Sequence, residues 1–274
     1  MTALQTSPHL RRHQVARLGN PTGQPLLMVH GYGCNQAMWR DMVPHFSDEY
    51  DIYLFDHVGT AASGMDGWDP DAYSELKRYA ADLQQAVEEL DLTNLILVGH
   101  SVSAIICGLV ASEIPSRVSH LVMIGPSPRY INDGDYNGGF EREDIEGLLS
   151  AIESNYRGWS EQMAPAIMGR PDAPEYGQEL TDRFCEQDPE VGYYFARATF
   201  LSDNRDDLER ITVPTLVLQC TEDIIAPEQV GRYVADRLPQ GHFHQLAARG
   251  HCPNLSAPAE TSLAIKSWLS ASAS

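Results

Sequence analysis

Three residues far apart in the chain have the types needed for nucleophilic acyl transfer: Ser101, Asp223 and His251. Ser101 lies in Leu95-Ile96-Leu97-Val98-Gly99-His100-Ser101-Val102-Ser103-Ala104, where a run of buried-strand length meets a small, apolar, helix-like run with no room for a loop. A strand that turns straight into a helix through Gly-x-Ser thrusts the serine hydroxyl off the strand end, over the positive pole of the helix. The second glycine usual in this motif is replaced by Ser103, which is still small. Asp223 and His251 each follow a strand-like run as well, Pro214 to Cys220 and His242 to Leu246. A serine hydroxyl attacks poorly until a base takes its proton, so His251 is assigned as that base and then as the proton donor to the leaving group. Asp223 is assigned to fix the imidazole tautomer and stabilise its cation. The developing oxyanion is assigned to two backbone N–H groups, that of Val102 and one from Gly31-Tyr32-Gly33, most directly Tyr32.

Each assignment has a rival. Glu222 precedes Asp223, but the later position suits a turn just past a strand. His100 adjoins Ser101, and the elbow geometry turns it away from the hydroxyl. Cys252 adjoins His251 but has no second base placed for it as a nucleophile. A metal site could use His242, His244 and His251, since the first two share a strand face, yet no acidic or cysteine partner is spaced to complete it. Gly31-Tyr32-Gly33 after an apolar run could open a dinucleotide fingerprint, but Gln36 stands where its third glycine belongs. No metal and no cofactor is therefore expected. An aspartate nucleophile is excluded if Ser101 holds the elbow.

The elements that must position these residues alternate. Apolar runs at Leu26–His30, Ile52–Phe55, Leu95–Val98 and Val118–Ile124 are separated by helical patterns, and a strand-like stretch near Val15 and Leu18 precedes them. One helix is expected through Met38, Met42 and Phe46. Another is expected over Asp71–Leu90, with Leu76, Tyr79, Leu83, Val87 and Leu90 at spacings of three and four, Pro70 in its first turn and Asp69 as cap. Further helices are expected over Val102–Ser112, over Pro227–Leu238 and from Pro258. This predicts an α/β fold: a mostly parallel sheet of eight, or seven, strands with helices on both faces.

The alternation stops between residues 129 and 207. Helical patterns replace it, through Ile145, Leu148, Leu149 and Ile152, through Trp159, Met163 and Ile167, and through Tyr193 to Phe200. The C-terminal ends of the strands are where open α/β sheets bind ligands, so an insertion there is placed to be a lid. The expected division is a core of residues 1–128 and 208–274 and a helical lid of residues 129–207. Tyr130, Trp159, Tyr194, Phe200 and Cys252 are offered as pocket residues, although an aromatic in such a block can equally pack one helix on another.

Composition bounds the partners. The 274 residues carry a formal charge of -19, which disfavours nucleic acid and anionic membranes. No apolar run reaches the roughly 18 residues of a membrane helix, and Met1 to Arg12, polar and expected to fray, has no signal-peptide stretch. Five scattered cysteines suit reduced thiols, so a cytoplasmic location is expected.

The motifs resemble one group in particular. Gly99-His100-Ser101-Val102-Ser103-Ala104, His30-Gly31-Tyr32-Gly33-Cys34-Asn35-Gln36 with Trp39, and Met123-Ile124-Gly125-Pro126-Ser127-Pro128-Arg129-Tyr130 are similar to those of RsbQ-type α/β-hydrolases, bacterial stress-signalling relatives of the plant strigolactone and karrikin receptors. Gly138-Gly139-Phe140, Asn155-Tyr156 with Trp159, Phe200 with Ser202-Asp203, and Gly250-His251 before Leu255-Ser256-Ala257-Pro258 extend the likeness over nearly the whole chain from about His13. The resemblance implies the triad Ser101, Asp223 and His251, oxyanion donors at Tyr32 and Val102, and a V-shaped lid of about four helices over an apolar pocket. It implies slow hydrolysis of a small apolar ester or lactone, butenolide-like. It also implies a possible signalling role with a phosphatase-type regulator as partner; a cofactor-free C–C bond hydrolase or lyase is the other chemistry open to the scaffold. Tyr32 departs from the group, in which many members carry phenylalanine.

Overall fold

The computed structural model describes residues 2–3, 7–60 and 63–272. Eight strands form one sheet: β1 (Thr2–Ala3), β2 (Ala16–Gly19), β3 (Gln24–Val29), β4 (Tyr50–Phe55), β5 (Leu95–His100), β6 (Val118–Ile124), β7 (Thr215–Thr221) and β8 (Gly241–Arg249), in the order β1-β2-β4-β3-β5-β6-β7-β8. β1 and β2 pair antiparallel at one edge; from β4 to β8 every pairing is parallel.

A parallel sheet covered on both faces needs apolar side chains on both, and the strands read accordingly. Leu26 and Met28 of β3, with Ile96 and Val98 of β5, face a layer built on Trp39, Met42, Phe46, Ile265 and Leu269. Their neighbours Leu27, Val29, Leu95 and Leu97 face the opposite layer. That layer is formed by α2 (Leu76–Glu89), α3 (Val102–Glu113) and α8 (Glu228–Arg237). The short α9 (Pro253–Ser256) and long α10 (Pro258–Ser272) close the chain.

The structure differs from the sequence reading in several elements. The expected helix through Met38, Met42 and Phe46 is two 3₁₀ turns, Gln36–Trp39 and Val43–His45. Asn35 caps the first turn through Ala37 N at 2.9 Å, and Pro44 removes an N–H that an α-helix would need. The expected helix over Asp71–Leu90 is broken. Asp69 Oδ1 does accept from Ala72 N (2.8 Å), but it caps a 3₁₀ turn, Ala72–Ser74, and Glu75 is extended before α2 begins. Buried Tyr73 fixes the break by donating to Asp82 while accepting from Arg12. Of the stretch expected to fray, residues 1 and 4–6 lie outside the described residues. Pro8–Arg12 forms a helix, α1 in chain order, with Ser7 Oγ as its cap and Leu10 buried.

Between β6 and β7 stand four helices: α4 (Arg142–Ser154), α5 (Tyr156–Met168), α6 (Pro174–Glu186) and α7 (Pro189–Phe200). Periodicity alone points to three of them. α6 lacked a readable stripe because its buried positions, Gly177, Leu180, Thr181 and Phe184, are half small or polar. The two ends of the insertion meet where Asn204 N donates to Pro128 O at 2.8 Å. Phe195 of α7 stacks on Tyr79 of α2, with centroids 4.3 Å apart, and so joins the insertion to the layer beneath the sheet. Phe195 is fully buried, and Phe195→Ala should lower the unfolding free energy by about 3–5 kcal/mol in a urea titration while far-UV helicity is kept.

Candidate active site

The elbow is built as its residues require. Gly99, one residue before the end of β5, stands where an added Cβ would lie 2.2 Å from Ser103 O, so only glycine fits. Ser101 takes φ 57° and ψ −127°, a strained conformation for a residue with a side chain. Its N–H donates to Ile124 O at 2.8 Å, which fixes the turn against β6. Ser103 does more than stay small. Its hydroxyl donates to His30 O and accepts from His57 Nε2–H (2.7 Å), tying α3 to the loop after β3.

His251 and Asp223 converge on Ser101. The His251 ring lies with Nε2 2.8 Å from Ser101 Oγ and Nδ1 2.7 Å from Asp223 Oδ2. All three residues are buried. Asp223 Oδ1 accepts from Ile225 N (2.9 Å) and Ala226 N (3.1 Å). Burial pushes its pKa up, but the His251 imidazole and these donors outweigh burial and hold it below the usual carboxylate range. The charge sits where an imidazolium would form. Glu222, the rival acid, instead pairs with Arg249 at the surface.

Two positioning residues escaped the sequence reading. Gln219 of β7 is fully buried and donates through Nε2 to Asp223 Oδ2 (3.2 Å) and to Ala226 O. A lone amide inside a buried apolar strand was the available signal. Ile167 O at the end of α5 accepts from His251 N at 2.9 Å, so the insertion holds the loop that carries the imidazole. No sequence signal reports that contact.

The loop after β3 passes directly over the serine: a Cβ on Gly31 would lie 3.0 Å from Ser101 Cβ. The N–H groups of Tyr32 and Val102 have no acceptor among the described residues. The Tyr32 hydroxyl donates to Gly192 O of α7 at 2.9 Å. His100 is turned away from the Ser101 hydroxyl and donates through Nε2 to His251 O (2.8 Å). Burial pushes its pKa down to about 3, so it is neutral.

Ser101 opens on a small, apolar-walled cavity between the strand ends and the insertion. Tyr130, Trp159, Phe200 and Cys252 line it, as do Tyr32, Phe184, Thr199 and Ile225. Trp159 stacks on Phe184 (5.4 Å), and Phe184 packs where Gly33 has no side chain. Tyr194 does not reach the cavity. Its ring meets Trp68 at 5.7 Å on the outer side of α7, because the inward positions of that helix fall to Phe195 and Thr199. The buried thiols of Cys34 and Cys252 have pKa values raised by burial, which disfavours the thiolate.

His242 and His244 are exposed on β8, away from buried His251, so the three do not form a metal site. Among the described residues His9, His13 and Asp82 come close enough to share an ion. Their ligand atoms are partly engaged: His9 Nε2–H donates to Asp82 O, the Asp82 carboxylate accepts from Arg78 and Tyr73, and the guanidinium opposes a cation.

Comparison with known proteins assigns the class. Residues 24–258 match the family model for the alpha/beta hydrolase fold, and the chain belongs to that family. Within it the chain is similar to a strigolactone esterase of Arabidopsis thaliana, 38% identical over 237 residues that cover 86% of this chain and 88% of the relative. It is also similar to a karrikin insensitive 2 receptor of Petunia hybrida, 35% identical over 247 residues, 90% of this chain and 91% of the relative. The structure of a hydrolase from Oleispira antarctica matches with a TM-score of 0.93 at 36% identity, covering 96% of each chain. No described helix is long and apolar enough to cross a membrane.

Ser101→Gly relieves the strained backbone and Ser101→Ala does not, so the glycine variant should be more stable by about 1–2 kcal/mol in paired denaturant titrations. Asp56 is buried beneath the same loop, accepting from Gln36 N at 2.6 Å, and burial pushes its pKa up to about 7. The folded chain then holds this proton more tightly than the unfolded chain. That stabilisation is full below about pH 4 and is lost as pH rises through about 7. Asp56→Asn should show a shallower fall in stability than wild type between roughly pH 4 and 7.

Proposed function

We propose that this hydrolase cleaves a small apolar ester or lactone by Ser-His-Asp catalysis. The observation that carries the reading is the chain of contacts Ser101–His251–Asp223, at 2.8 and 2.7 Å, at the floor of an apolar cavity. Ser101 Oγ attacks the acyl carbon while His251 Nε2 takes its proton. The N–H groups of Tyr32 and Val102 receive the tetrahedral oxyanion, which suits two amides with no other acceptor. As the intermediate collapses, His251 returns the proton to the departing alkoxide. Water, activated by the same imidazole, then releases the acid and restores Ser101. A lactone gives a hydroxy acid by the same steps. The narrow aromatic wall of Trp159, Phe184 and Phe200 favours compact acyl groups.

A sensing role is the second reading, with helices α4–α7 acting as a lid that presents a surface to a signalling protein such as a phosphatase-type regulator. Two contacts favour it: Ile167 O holds His251 N, and Tyr32 OH holds Gly192 O. Chemistry at Ser101 is thereby tied to the position of two lid helices. A cytoplasmic location fits the free thiols of Cys34, Cys107, Cys185, Cys220 and Cys252.

Wild-type protein should hydrolyse p-nitrophenyl acetate and label with a fluorophosphonate probe. Ser101→Ala should lose labelling and lower kcat by at least about 10⁴-fold. Equal activity in the two proteins would overturn the reading.

A further inference from the structure

Thr199 carries a hydroxyl that the reaction scheme leaves unused. The residue is 1% exposed on α7, and its Oγ1 has no hydrogen-bond partner among the described residues. Buried hydroxyls in helices commonly bond back to the carbonyl four residues earlier. Three in this chain do: Ser160 to Tyr156 O (2.8 Å), Thr181 to Gly177 O (2.9 Å) and Thr261 to Ala257 O (2.9 Å), while Ser103 and Ser262 bond instead to His30 O and Met42 Sδ. Thr199 makes no such bond, and its side chain forms part of the cavity wall instead.

Several other polar groups of the wall are engaged at or beside the reaction centre. Ser101 and His251 bond to each other, His100 donates to His251 O, and Tyr32 donates to Gly192 O. Thr199 lies on the wall supplied by α7. An unpartnered hydroxyl in an apolar wall is unfavourable until something bonds to it, and a ligand oxygen can.

We propose that Thr199 is a specificity-determining residue that hydrogen-bonds a second oxygen of the substrate, remote from the scissile carbonyl. The preferred substrates are then small esters or lactones with an added keto, hydroxyl or ether oxygen, rather than their plain alkyl counterparts. The proposal rests on the serine-hydrolase reading above. A site built to bond a substrate oxygen rejects the analogue that lacks it far more strongly than an apolar pocket rejects a change of size.

The test compares p-nitrophenyl esters of 3-oxobutanoate, 4-oxopentanoate and 5-oxohexanoate with their unsubstituted parents, in wild type, Thr199→Val and Thr199→Ser. In wild type at least one oxo ester should exceed its parent in kcat/KM by about tenfold or more, and Thr199→Val should lower that ratio by about tenfold, mainly through KM. Thr199→Ser should restore it. Thr199→Val is isosteric and loses no bond, so its melting temperature should not fall below that of wild type. An oxo-to-parent ratio that stays within about threefold of wild type for all three pairs would overturn the role of Thr199. A wild type that turns over none of the esters and takes no fluorophosphonate label would overturn the hydrolase reading itself, which separates the two failures.

Discussion

The backbone of Ser101 is the constraint on which the rest depends. With φ at 57° the residue is held in a conformation that costs on the order of 1–3 kcal/mol and survives only if its surroundings leave no alternative. They leave none. β5 lies in the middle of the sheet between β3 and β6, the Ser101 N–H is bonded to Ile124 O, and α3 is buried along nearly its whole length. Gly99 and Gly31 complete the clamp because neither can carry a side chain where it stands. The sheet is thus the device that keeps one hydroxyl raised toward the cavity.

Everything else at the site is arranged around that hydroxyl by loops at the strand ends. Asp223 and His251 come from the ends of β7 and β8, and Gln219 and two backbone amides fix the carboxylate before it meets the imidazole. The insertion takes part in this as more than a cover. A Cβ on Gly250 would lie 2.0 Å from Met168 O, so the turn before His251 packs backbone to backbone against the end of α5. Displacing α5 must therefore disturb the position of the His251 imidazole.

How much of this was legible in the sequence depended on the range of the signal. Ser101, Asp223 and His251 could be read because each follows a strand and each has a residue type tied to one chemical task. The sheet was legible because buried strands are short apolar runs. The turns around Met38 and Asp71 were misread because an apolar spacing of three or four fits a 3₁₀ turn as well as an α-helix, and buried Tyr73 gave no local sign that it breaks one. Tyr194 was misplaced for a similar reason. In Tyr193-Tyr194-Phe195 three aromatics adjoin, and only the packing of α7 decides that Phe195 turns inward. Gln219 and Thr199 needed partners from distant segments, or the lack of them, to be recognised.

The Asn204–Pro128 bond closes the insertion at its base. To the sheet, the chain between β6 and β7 behaves as a short crossover however many residues lie beyond that neck, since further loop length adds little closure entropy once the ends are pinned. The four helices are in this sense a cassette. Their pocket-facing residues can change in size and polarity without altering the register of β6 on β7.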